Sequence, residues 1–328
     1  MTSMQYESLA AMFAACALSA ACSKACDRDE PRAETDGLRA DARQAASSDG
    51  AACPRFSTGH VVGRVQDAEL LELSGIAASR KNPGVLWVHN DSGNPERLYA
   101  LAIDGHLLGS FDVLGAGCVD WEDIAIGPGP QRKESYLYVA DVGTNVMPRD
   151  VVVVYRVPEP SVKNDQPPAQ AELAGTTAFE LSYPDGKAHD SETLMVDPLN
   201  ADVYLVSKAL VGPSEVYRAK APLQAGRHAL EHVVSLNLGR TTARGSGLAT
   251  AGDISPAGDL IAIRTYTNAY AWIRPSGASI ADALQSPPCE IPLANEPQGE
   301  AIGFAPNGQG YYTVSEGLSQ PIRFFEKK

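Results

Sequence analysis

Five segments of this chain repeat one form: a short strand opening on small or acidic residues, a tight turn, then a more apolar strand. They are LSGIAASRKNPGVLWVHNDSG, WEDIAIGPGPQRKESYLYVADVGTN, SETLMVDPLNADVYLVSK, AGDISPAGDLIAIRTYTN and GEAIGFAPNGQGYYTVSEG. Each turn couples proline with Gly or Asn, the chemistry that tight hairpin connections favour. Aligned on the aliphatic residues Ile76, Ile124, Leu194, Ile254 and Ile302, the repeats leave room for two further strands in each interval. A repeat of this length, with four antiparallel strands per unit, predicts an all-β fold, a β-propeller. The last unit is one strand short, and GHVVGRVQD near residue 60 is left over. Lending that strand to the last unit closes the ring and leaves no open edge. The expectation is therefore five four-stranded blades, with six blades the second reading. Long segments of helical period are missing, which counts against α/β folds.

The stretch before the repeats divides in two. LAAMFAACALSAAC, ending at Cys22, is apolar and alanine-rich but too short to span a bilayer, and a polar stretch follows it. That order reads as an export signal over residues 1–22, with a lipoprotein-type lipid anchor at Cys22 as the finer expectation. Two features depart from the lipoprotein pattern: no Lys or Arg precedes the apolar run, and the leucine sits one position too far from Cys22. An ordinary signal peptide, or a start other than Met1, is the alternative. Residues 23–58 carry few large apolar side chains and read as a disordered tether, leaving 59–328 as the single folded domain. Export predicts a periplasmic, outer-membrane-anchored or secreted protein with no transmembrane helix in the mature chain. In an oxidising compartment, Cys53–Cys289 is the favoured disulfide and Cys118 the odd thiol.

A net charge of −13 excludes a nucleic-acid partner, because phosphate binding needs a basic face. Adhesion to an anionic membrane surface is disfavoured in the same way, whereas cations and small polar ligands fit. In a propeller, residues just before each inner strand and just after each second strand gather at one mouth of the central channel. Two positions before the aligned aliphatics stand Ser74, Glu122, Glu192, Gly252 and Glu300, with Asp120 and Asp190 two positions earlier. Carboxylates crowded there need compensation, by a divalent cation, by Lys208 and Arg264, or by protons. An all-oxygen set favours calcium or another divalent cation, with Glu122, Asp123, Asp190, Glu192, Asp253 and Glu300 as ligands. Asn90, Asp91, Asp141, Lys208, Arg264, Tyr266 and Glu316 are the ligand-binding candidates. His89 and Glu122 are the candidate acid and base if the site is catalytic. Against all of this stands the plainer reading that the acids tie blade to blade. The three tryptophans read as blade packing rather than sugar platforms. GRTTARGSG reads as a loop lacking a phosphate-loop lysine.

The motifs ELSGIAAS, LWVHNDSG, DWEDIAIGPG, YLYVADVGTN, DSETLMVDP and QGEAIGFAPNGQGYYTVSEG give the chain a resemblance to bacterial secreted β-propellers of the esterase-like and phytase-like group. It runs along most of residues 70–318. The resemblance implies an exported propeller acting on phosphate or ester bonds with calcium, Lys208 and Arg264 then meeting an anionic substrate. Calcium-dependent phytases present several basic residues to polyphosphate, and this mouth is largely acidic. In type of site, though not in motif, it is similar to gluconolactonase–paraoxonase propellers, whose central metal is held by acids and Asn. Three functions are thus open: binding a cation or small polar ligand in the envelope, metal-dependent hydrolysis of esters or phosphoesters, and a scaffold for an envelope partner. A monomer is expected.

Overall fold

The computed structural model describes residues 52–163, 167–239 and 245–328. Five sheets, each built on four antiparallel strands, carry the chain. The first is Leu73–Ala78, Val85–Asn90, Arg97–Ala102 and Leu107–Val113, each strand hydrogen-bonded to the next. The second, third and fourth repeat the plan from inner strands Trp121–Pro128, Ser191–Val196 and Ala249–Ile254. The last has Gly299–Phe304, Gly310–Ser315 and Pro321–Glu326, and its outer strand is His60–Arg64 from the other end of the chain. The chain is a five-bladed β-propeller closed by its N-terminal strand.

Period-two alternation explains how the blades stack. Each inner and second strand is buried on both faces, because one face meets the preceding blade and the other the following one. The hydrophobic core therefore splits into five clusters, one in each gap between neighbouring blades. Trp87, Trp121 and Trp272 are wholly buried in these gaps. Their indole N–H groups donate to Glu159, the Gly117 carbonyl and the Ser286 carbonyl respectively.

Three details go beyond the four-stranded plan. The excursion after the second blade's third strand does not stay in that blade: Ala169–Leu173 adds a fifth strand, parallel, to the edge of the first. Gly226–Ala229 does the same from the third blade to the second. A short helix, Ile280–Leu284, precedes the outer strand of the fourth blade, with a Ser279/Asp282 capping box at its start. Cys53 and Cys289 form a disulfide, and Phe56 pairs with Lys327, so the chain joins the ring before residue 59. Cys118 is a free thiol. The export segment and most of the tether lie outside the described residues, as does most of the GRTTARGSG loop. Among the described residues no helix is long and apolar enough to cross a membrane.

Candidate functional site

Every blade carries a β-bulge at the same place, where the inner strand enters from the mouth. Pairing jumps from Leu73↔Asn90 to Gly75↔His89 in the first blade and from Trp121↔Asp141 to Asp123↔Ala140 in the second. The same skip recurs in the other three. The extra residues are Ser74, Glu122, Glu192, Thr250 and Glu300. A bulge bends the strand and re-aims the inserted side chain, so these five side chains leave the sheet at the mouth.

The register corrects the fourth blade. Its counterpart of Glu122 is Thr250, and its counterpart of Ile124 is Gly252, two positions before the aligned Ile254. A Cβ on Gly252 would lie 2.8 Å from both the Ala262 carbonyl oxygen and Thr193 Cγ2, so the channel has no room for an aliphatic residue there. The shift drops Asp253 below the mouth, where its carboxylate accepts from the Ile254 and Phe304 N–H groups at 2.8 and 2.7 Å. Burial pushes its acid up to about 6. Asp123 is similarly internal: it accepts from the N–H groups of Ile124, Leu194 and Gly252, joining three blades.

The five bulge residues then separate by chemistry. The Ser74 hydroxyl donates to the Glu122 carbonyl at 2.5 Å, and Thr250 donates to the Gly299 carbonyl at 3.3 Å. These are ties to the next blade. The three glutamates meet side chains instead of a neighbouring backbone carbonyl. Glu192 pairs with Lys208, Glu300 accepts from the Tyr266 hydroxyl at 2.7 Å, and among the described residues Glu122 has only the Asn145 amide at 3.5 Å. Lys208 also stacks on the Tyr266 ring at 5.1 Å. Burial opposes its charge, but Glu192 outweighs this and holds the ammonium protonated.

Three overlapping acid groups result, each with one oxygen per residue within 4.8 Å of the others: Asp91–Asp120–Glu122, Asp91–Glu300–Glu316 and Glu122–Asp190–Glu192. Lys208 answers the third, together with Thr144, whose N–H and hydroxyl donate to Asp190 at 3.1 and 3.0 Å. The other two have no direct ion pair among the described residues: Asp120 Oδ2 accepts from the Asn145 N–H at 2.6 Å, and Arg149 and Lys208 reach Asp120 and Glu122 only through space. Asp91, Asp120, Glu122, Glu300 and Glu316 make no ion pair among the described residues. Among the described residues, Asp120 Oδ1 and Glu300 Oε2 are buried without a hydrogen-bond donor. Burial, then repulsion from Glu192, Asp91 and Asp120, raises Glu122 well above the usual carboxylate range. Burial pushes Asp91 up to about 7, and burial with a hydrogen bond to Glu300 pushes Glu316 up to about 10. Without a cation, protons must do the compensating.

The remaining candidates lie apart from these groups. Arg264 is wholly buried, bonded to Glu296 at 2.7 Å and to the Ala301 carbonyl at 3.0 Å, and does not reach out toward an incoming anion. Asp141 accepts from the Val119 and Asp120 N–H groups and pairs with Arg149 at 2.9 Å. Asn90 closes its own loop, donating to the Glu69 carbonyl at 2.7 Å. His89 is fully buried between the first two blades, edge-on to Trp121. Its Nδ1 meets the Asn90 carbonyl at 2.9 Å and its Nε2 has no partner among the described residues. Burial holds it down to about 4, so the ring is neutral at pH 7. Sequence reasoning missed Asn145, Thr144 and Gly143. The signal was the small-residue run VGTN directly after the second strand. A Cβ on Gly143 would lie 1.9 Å from Glu122 Oε1 and 2.5 Å from Asp120 Oδ2, so glycine leaves the space those carboxylates occupy.

The fold and site define a five-bladed β-propeller with a deeply buried acidic mouth. No family model and no curated protein matches the chain. Solved structures are similar to it at low sequence identity. The RRP9 WD40 repeats share 9% identity over 82% of this chain and 100% of that one, with a TM-score of 0.41. Raptor from Chaetomium thermophilum shares 11% over 84% and 30%, with a TM-score of 0.44. A mitotic checkpoint complex shares 12% over 74% and 61%, with a TM-score of 0.34.

Proposed function

We propose that the protein is an exported propeller of the cell envelope whose mouth binds a divalent cation, calcium by preference. The carrying observation is the acid group Asp91–Asp120–Glu122, without a direct ion pair among the described residues, and its buried, donorless Asp120 Oδ1. Asp91, Asp120 and Glu122 would hold the ion, with Glu300 and Glu316 adjoining through Asp91. A purely carboxylate and amide donor set suits a hard cation. Exposure supports an ion over a larger ligand: Asp120, Glu122 and Glu300 are 0%, 1% and 4% exposed, so a multi-atom substrate has no surface of theirs to meet. Hydrolysis has less support, since His89 is sealed between blades. Two features support export: the apolar N-terminal run, and the disulfide, a bond that persists in oxidising compartments.

The test is thermal melting of the full chain with calcium and with EDTA. A ligand that binds only the native state stabilises it by about 2.7 kcal/mol at a hundred times its Kd. Calcium is expected to raise the melting temperature of the wild type, and to raise that of Glu122→Gln and Asp120→Asn much less. An EDTA-insensitive melt that calcium leaves unmoved would remove the cation.

A further inference from the structure

The opposite face, where the first hairpins turn, has the reverse electrostatics. A cavity of about 520 Å³ opens there, lined by Arg80 and Lys81 from the first blade's turn, Lys133, Glu134 and Ser135 from the second's, and Pro198 from the third's. Three cations face one carboxylate in a chain whose net charge is −13. No direct ion pair among the described residues answers Arg80, Lys81 or Lys133.

Arg80 makes no ion pair among the described residues, and its Nε is buried without a hydrogen-bond partner. The carboxylates whose field reaches it are Asp253 and Glu159. Both offset its charge through space but spend their hydrogen bonds on neutral donors. Asp253 accepts from the two N–H groups described above, and Glu159 accepts from Ser79, Ser135, Trp87 and Asn82. Lys81 donates to the Glu159 backbone carbonyl at 3.1 Å, which satisfies a proton but leaves its charge. Lys133 is exposed and held at φ 70, a left-handed conformation unusual for a residue with a side chain. Positively charged groups converging on a concave, partly apolar wall form the usual plan of an anion pocket.

We propose that this cavity binds a doubly charged organic oxyanion, its charged head between the Arg80 guanidinium and the Lys81 and Lys133 ammoniums and its apolar part against Pro128 and Pro198. The cavity exceeds what a bare inorganic oxyanion fills, and its prolines offer nothing to a charge. This site is independent of the acidic mouth.

Isothermal titration of the full chain with phenyl phosphate and with phthalate, at fixed ionic strength, tests it. The probes share a ring and differ in the head, so the two arms separate a phosphate from a dicarboxylate preference. At least one is expected to bind more tightly than inorganic phosphate. Removing one charge-assisted contact should weaken it about tenfold or more in Arg80→Gln and in Lys133→Gln. Lys133 is exposed, so its variant should fold even if Arg80→Gln does not. Glu122→Gln should bind the probe as wild type does, separating this result from any outcome at the mouth. No heat with either probe, or binding unchanged in Lys133→Gln and Arg80→Gln, overturns the proposal.

Discussion

Gly143 shows how little space the mouth leaves. Its missing Cβ is the room taken by Glu122 Oε1 and Asp120 Oδ2. Gly143→Ala would push the Glu122 carboxylate aside while leaving the blade intact. The expected result is a folded protein by circular dichroism, about 1–3 kcal/mol less stable, whose melt no longer responds to calcium. The titrating residues give a second prediction, with a sign to work out. Asp91 sits at about 7 against an ordinary 3.8, so its contribution to stability is complete below about pH 4 and is lost as pH rises through 7. His89 sits at about 4 against an ordinary 6.5, so its contribution is complete above 6.5 and is lost as pH falls through 4. The two oppose each other between pH 4 and 7, and the plain melting curve against pH is a poor witness. The increment added by calcium is the better one. The ion must displace the Asp91 proton, and any held by Glu122, so calcium affinity should fall at least about 100-fold from pH 8 to pH 5, the Asp91 proton alone costing tenfold for each pH unit below 7. A calcium increment that is flat across that range would detach Asp91 from the ion.

At the scale of elements, the repeated hairpin with its turn chemistry was legible before any coordinates. So was the stray strand near residue 60, because a blade with three strands leaves one unpaired edge. The fourth blade went wrong for a definable reason. Its anchor is a glycine, and a search for aliphatic residues slides past Gly252 to Ile254. Proline spacing held the right frame, since Pro128, Pro198 and Pro306 each stand four residues after their anchors, and Pro256 stands four after Gly252. The two parallel fifth strands carry weaker signals. AQAEL and GRHA are short, polar and half-exposed, and their pairing to a preceding blade is set by where long connections come to rest rather than by local sequence. Serine and threonine at the bulges were legible as irregularities in a row of acids. That they tie blades through hydroxyls needed the register. The Arg264–Glu296 pair was hidden for another reason: its partners lie 32 residues apart, and nothing in either neighbourhood announces the other.

For the whole molecule, the joining of the two ends is the controlling feature. Besides the paired strands His60–Arg64 and Pro321–Glu326, Phe56 packs edge-on against Tyr311 and the disulfide fastens Cys53 to the fourth blade. Cys53→Ser should lose up to about 5 kcal/mol, the loop-closure contribution of a crosslink spanning so much chain. A chain starting at Gln66 should do worse, because it leaves an unpaired edge on Pro321–Glu326 as well. Its melt should be broad and early, and size-exclusion chromatography should show association through that edge. A sharp, monomeric melt near the wild-type temperature would mean that the ring does not need its clasp.

The clasp also sets a clock. Glu326 N–H donates to the Ser57 hydroxyl across 269 positions of sequence. Of the described strands, the one made earliest, His60–Arg64, is thus the last to find its partner. At synthesis rates of about 5–20 residues per second that is a wait of roughly 13 to 50 seconds. Throughout it, four blades can assemble while both ends of the open ring stay adhesive. Any chaperone that handles this chain therefore meets an unfinished circle, and the translation of Pro321–Glu326 is the event that ends the exposure.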